Sequence, residues 1–211
     1  ASIADGYTLR LIREEIGTNY KIVLQEVLAK MEVLKGKITR KEMYARPEFV
    51  APMLDYIITD FEDFRRREDP SVGAMVICDS SEQARMMFEL FSATYAVGAE
   101  PSLTADEQDI AAEMRLVYKS KRLAESKVTK GKLILYDSGS KQELKDWVDD
   151  FKDGKLDILF VYNMLLTGFD AKRLKKLYLG RVIKSHNLLQ ALTRVNRTYK
   201  KFEYGYVVDF A

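Results

Sequence analysis

Short, β-rich apolar runs alternating with helical stripes constrain this chain more than any other feature. Ile158 to Val161 contains no polar residue, as expected of a strand buried on both faces. Gly73 to Cys78, Leu133 to Tyr136, Leu174 to Leu179 and Tyr204 to Phe210 read as further strands. Helical patterns fall between them. Ser80 with Gln83 suggests a capping box, followed by an inward stripe of Met87, Phe88, Phe91 and Tyr95. Ser140 with Glu143 suggests another, before Leu144, Trp147, Val148 and Phe151. A third helix opens near Ser185. Strands separated by helices call for a parallel sheet covered on both faces, an α/β fold.

Upstream, residues 7–12 alternate like a short strand that has no partner nearby in sequence. Ile22, Val23, Val27 and Leu28 recur at helical spacing, and a longer helix is expected from Pro47 to Arg67. Its inner side carries Met53, Leu54, Ile57, Ile58, Phe61 and Phe64, and Arg65, Arg66 and Arg67 suit its C-terminal dipole. Asp69-Pro70-Ser71 then divides the chain into a helical connector, 1–70, and an α/β unit, 71–211. A polar helix from Ala105 to about Lys127, capped by Thr104 and Glu107, reads as a surface insertion.

The net charge of +2 hides an asymmetry. Residues 117–201 hold 20 Lys and Arg against 9 Asp and Glu, which leans toward a polyanionic partner. No apolar run is long enough for a membrane span and no signal peptide is visible, so no membrane partner and a cytoplasmic location are expected. The single cysteine, Cys78, excludes an internal disulfide and reads as a small core residue. His186 has no second histidine or free cysteine beside it, and no metal site is expected.

Gln190, Arg194 and Arg197 are spaced to project from one helical face. Two permanently charged forks and an amide suit a polyphosphate. This Gln-x-x-x-Arg-x-x-Arg resembles motif VI of superfamily 2 helicases, and NMLLTGFD, Asn163 to Asp170, resembles their motif V. NMLLTGFDAK followed by LLQALTRVNRTY is most similar to the motor (R) subunit of type I restriction-modification systems. That resemblance runs from Gly73 to Ala211. It implies a RecA-like, P-loop NTPase-type helicase domain 2 and an ATP-dependent translocase working on double-stranded DNA with modification and specificity subunits.

In such motors ATP and Mg2+ sit in a cleft, held mainly by a preceding RecA-like domain. By motif position, Arg194 and Arg197 would be the inserted arginines, with Arg197 at the γ-phosphate. Gln190, Gly168 and Asp170 would line the nucleotide. Ser80, Ser81, Ser138, Asn163 and Thr167 would meet nucleic acid. Leu192 and Thr193 depart from the small residue and glycine found in many relatives. No phosphate loop exists: Gly36-Lys37, Gly131-Lys132 and Gly154-Lys155 each precede an apolar residue and lack the upstream glycine. The acidic magnesium-binding pair is likewise read as missing, so the chain alone is expected to be inactive. A repair-type superfamily 2 motor and a non-catalytic nucleic-acid-binding α/β module remain alternatives.

Overall fold

The computed structural model describes residues 12–15, 22, 25–27, 29, 39–96, 102–117, 126–164, 169–180, 191 and 193–210. Six strands form one sheet: β1 Ile12–Glu15, β2 Gly73–Ile77, β3 Gly131–Ile134, β4 Ile158–Val161, β5 Leu174–Leu179 and β6 Tyr206–Asp209. Their order is β1-β6-β5-β2-β4-β3, and every pairing is parallel. The named helices are α1 Arg40–Tyr44, α2 Pro47–Arg67, α3 Ser81–Thr94, α4 Ala105–Val117 and α5 Lys141–Lys152.

Alternation along the strands splits the core into two layers. On one face Ala74, Val76, Ile158, Phe160 and Tyr178 meet the apolar sides of α2 and α3. On the other, Met75, Ile77, Leu159, Val161 and Leu177 meet Phe151 of α5 and the helical residues Ala191 and Val195. The sheet is therefore covered on both faces, as the strand and helix order requires. All six inner residues named for α2 are buried, as their spacing implies, and the helix packs into the core.

Several expectations change in detail. Residues 7–11 of the expected N-terminal strand lie outside the described residues; the described strand, Ile12–Glu15, adds to the sheet beside the last strand, a pairing across nearly the whole chain that local pattern does not reveal. β3 ends at Ile134, two residues short of the expected end, and leaves Tyr136 89% exposed in the following turn. The polar helix is described to Val117, and residues 126–130 lie outside any helix. That helix is no pure surface insertion, because Ala111 is buried in the same core layer as α2. Val27 joins the core and Ile22 faces out; Val23 and Leu28 lie outside the described residues. Among the described residues no helix is long and apolar enough to cross a membrane.

One buried carboxylate joins both ends of the chain's middle. Asp157 accepts from Arg65 Nη1 at 2.8 Å and from the backbone N–H groups of Thr129 and Lys130 at 3.1 and 3.0 Å. Arg65 is thus drawn inward, while Arg66 stays exposed and pairs with Asp63. Asp157→Ala strips three donors of their acceptor in a buried setting and should destabilise the fold by about 3 kcal/mol. Thermal or urea unfolding of the chain checks this; a loss below about 0.5 kcal/mol refutes it.

Candidate functional site

The expected site residues separate between the two ends of the parallel sheet. At the carboxyl ends, β2, β4 and β3 lie side by side and lead into Ser80 and Ser81, Asn163, and Ser138 respectively. Open α/β sheets bind ligands outside these ends. Ser80, however, is fully buried, and its hydroxyl accepts from the Gln83 N–H at 3.0 Å as the cap of α3. Gln83 reaches back to the Asp79 N–H at 2.6 Å, one residue before the expected partner. The Ser138 hydroxyl donates to the Leu135 carbonyl at 3.0 Å and accepts from the Leu135 N–H at 2.9 Å, closing its own turn. Ser81 donates to Glu82, whose other oxygen takes Lys41 at 2.8 Å. Asn163 is exposed with φ of +54°, where the chain leaves β4 in a left-handed conformation that asparagine tolerates. Thr167 lies outside the described residues.

The second group sits at the amino ends. Arg197 Nη1 meets Asp170 Oδ1 at 2.6 Å. Both are accessible, with side-chain exposures of 37% and 54%. Arg194 lies in the helical stretch 193–195, whereas Arg197 stands in the bend just after it, so the two do not share one helical face; the Arg194 Nε is buried with no hydrogen-bond partner. Gln190, Gly168 and His186 lie outside the described residues. Two constraints hold the arginine stretch here. A Cβ at Gly205, just before β6, would stand 2.4 Å from the Val195 carbonyl oxygen, so only glycine allows this approach. Lys175, the second residue of β5, donates its ammonium to the carbonyls of Val195 (3.1 Å) and Arg197.

Reading the sequence missed this lysine. The signal was the pair Lys175-Lys176 inside an otherwise apolar strand, LKKLYL. Both are fully buried. Lys176 pairs with Asp60 of α2 at 2.9 Å, and Tyr178 donates to the same carboxylate at 2.6 Å. Just ahead of them, Arg173 is buried and donates to the carbonyls of Ser71 (2.9 Å), Phe151 (2.6 Å) and Leu156 (2.7 Å). Burial lowers the Arg173 pKa, and it pushes the Lys175 ammonium down to about 8.

One acidic string corrects the sequence reading. Asp106-Glu107-Gln108-Asp109 carries the letters Asp-Glu-x-Asp. It opens α4, where Glu107 accepts from the backbone and hydroxyl of Thr104, both at 2.9 Å. It therefore caps a helix rather than ending a buried strand beside a phosphate loop. No cluster of potential metal ligands occurs among the described residues.

A family model for type I restriction enzyme subunit R domain 3 matches residues 70–211, about two thirds of the chain. The chain belongs to that family. Among individual relatives, a protein assigned as the type I restriction enzyme MjaVIIP endonuclease subunit of Methanocaldococcus jannaschii is 56% identical over 52 residues. That match covers 25% of this chain and 5% of the relative. The type I restriction enzyme SauCOLORF180P endonuclease subunit of Staphylococcus aureus (strain COL) is 47% identical over 60 residues, 28% of this chain and 6% of the relative. A solved fragment assigned as the HsdR subunit of a type I restriction enzyme from Vibrio vulnificus YJ016 superposes with a TM-score of 0.53 at 14% identity, covering 99% of this chain and 33% of that one. At this identity the likeness speaks to fold, and the domain 3 chain shares its RecA-like, helix-covered parallel sheet. The matched stretches span only a small part of the curated relatives' length.

Two outcomes follow from the geometry around Lys175. With a folded pKa of about 8 against an ordinary 10.5, the unfolded chain holds this proton in the interval between them and the folded chain does not. Stability therefore rises with pH across that window, by at most about 1.4 kcal/mol per pH unit, and this contribution is flat below 8. Urea unfolding from pH 7 to 10 should show wild type gaining on Lys175→Met; parallel curves refute it. Gly205→Ala should lower stability by about 1–3 kcal/mol by forcing Val195 away, seen as a reduced melting temperature.

Proposed function

We propose that this chain is the second motor lobe of an ATP-dependent DNA translocase, the R subunit of a type I restriction enzyme. It supplies the arginine half of a nucleotide site. The observation that carries the reading is the accessible Arg197, held on Asp170 at the amino end of the sheet. An exposed ion pair of this kind contributes about 0–1 kcal/mol, so Arg197 leaves Asp170 at little cost when a stronger anion arrives. A γ-phosphate carried by the preceding RecA-like domain is such an anion, and a guanidinium fork matches it in charge and shape. Asp170, once released, is free to accept from the ribose hydroxyl.

ATP and Mg2+ are held mainly by that neighbouring domain, so the chain alone turns over no ATP. Residues 1–70 lead from the neighbour into the α/β unit, 71–211. Duplex DNA runs past the opposite, carboxyl end, where Ser81 and Asn163 lie, and the Lys- and Arg-rich half of the chain supplies attraction. Alternate closing and opening of the cleft would move the duplex past modification and specificity subunits in the cytoplasm.

In the complete R subunit, Arg197→Ala should reduce DNA-stimulated ATP hydrolysis by about 10³-fold or more, the scale of an arginine finger. Its melting temperature should barely move, because the pair it breaks is exposed. Unchanged turnover would remove the arginine role.

A further inference from the structure

The start of β5 breaks its register with β2. Gly73 pairs with Leu174 and Ala74 with Lys176, which leaves Lys175 as an extra residue between two paired ones. Such bulges re-aim a side chain and occur often beside active sites. Here the bulge turns Lys175 toward the face that carries Ala191 and Val195. Without it, alternation along the strand would carry Leu174 and Lys175 on opposite faces in step with their β2 partners.

The ammonium ends on two carbonyls of the last turn before Arg197, one of them belonging to Arg197 itself. A cation at a helix C-terminus is favourably placed for the dipole. The two bonds nevertheless leave a full charge inside the protein, and burial lowers its pKa. An apolar residue at this position would stabilise the fold at least as well. Fold stability is therefore a poor reason for a lysine here, and control over the backbone of Arg197 is a better one. Gly205 packs against the same Val195 carbonyl that the lysine holds, so the turn is fixed by the ammonium and by the close approach of the backbone of residue 205.

We propose that Lys175 is a positioning residue of the nucleotide site: bulged out of the sheet register, it holds the carbonyls of Val195 and Arg197 and so sets where the Arg197 guanidinium stands. This rests on the arginine reading above. Lys175 touches no nucleotide itself. Displacing a reacting group by about 1 Å can cost on the order of 10²-fold in rate, and loosening this turn would act in that way.

The test uses the complete R subunit and DNA-stimulated ATPase. Lys175→Met keeps the stem and removes the donors, whereas Lys175→Arg keeps donors. The Met variant should lower kcat by about 10- to 100-fold with KM for ATP changed less than about threefold, and the Arg variant should recover part of kcat. In an Arg197→Ala background Lys175→Met should cost nothing further. An unchanged kcat in the Met variant, or an equal further loss without Arg197, overturns the positioning role. Loss of the folded circular dichroism signal in both lysine variants also overturns it, making Lys175 a stability element. If Arg197→Ala itself leaves turnover intact, the arginine reading falls. If Arg197→Ala abolishes turnover and Lys175→Met does not, only the present inference falls.

Discussion

Three cations buried at the beginning of β5 impose the condition the rest of the domain satisfies. Arg173 just ahead of an interior strand, and Lys175 and Lys176 within it, stand almost in sequence, and none can be left without acceptors. Each draws a different element to the sheet. Arg173 collects the carbonyls at the end of α5 and at the approach to β2. Lys176 binds Asp60 and fixes α2 over one face. Lys175 takes the turn before Arg197 on the other face. A strand with both faces covered by helices cannot lend these groups to water, so packing and hydrogen bonding have to agree on one arrangement.

That arrangement gives the two ends of the sheet different characters. At the carboxyl ends, short turns are closed by their own hydroxyls, as Ser138 and Ser80 show, leaving Asn163 and the exposed Tyr136 outward. At the amino ends an accessible ion pair, Arg197 with Asp170, stands near the buried cations of β5 and their carbonyl acceptors. An exposed ion pair above buried, hydrogen-bonded cations leaves the guanidinium weakly held on a rigid support. Membership of the type I restriction R subunit domain 3 family fits a lobe that works within a larger chain.

Much of this was legible in the sequence. The alternation of β-rich runs and helical stripes led to a parallel sheet, because each run is too short and too apolar for anything but a covered strand. The caps at Ser140 and Thr104 formed as read, since a capping box is a purely local exchange of hydrogen bonds. Arg197 and Asp170, singled out separately and 27 residues apart, pair directly, a contact that the sequence did not foretell. Ser80 and Ser138 could not be judged from sequence, because a hydroxyl that serves a cap or a turn looks the same as one that faces a ligand.

By itself the chain's sequence determined its class of fold and the order of its strands and helices along the chain. Those depend on local preference and on apolar patterning, which neighbouring residues carry among themselves. The tertiary structure alone decided that β1 pairs with β6, that Asp157 and Asp60 compensate distant cations, and that Lys175 bulges to grip the turn before Arg197. Those depend on contacts across the whole chain, where the need to satisfy a buried charge chooses the partner and no local pattern records the choice.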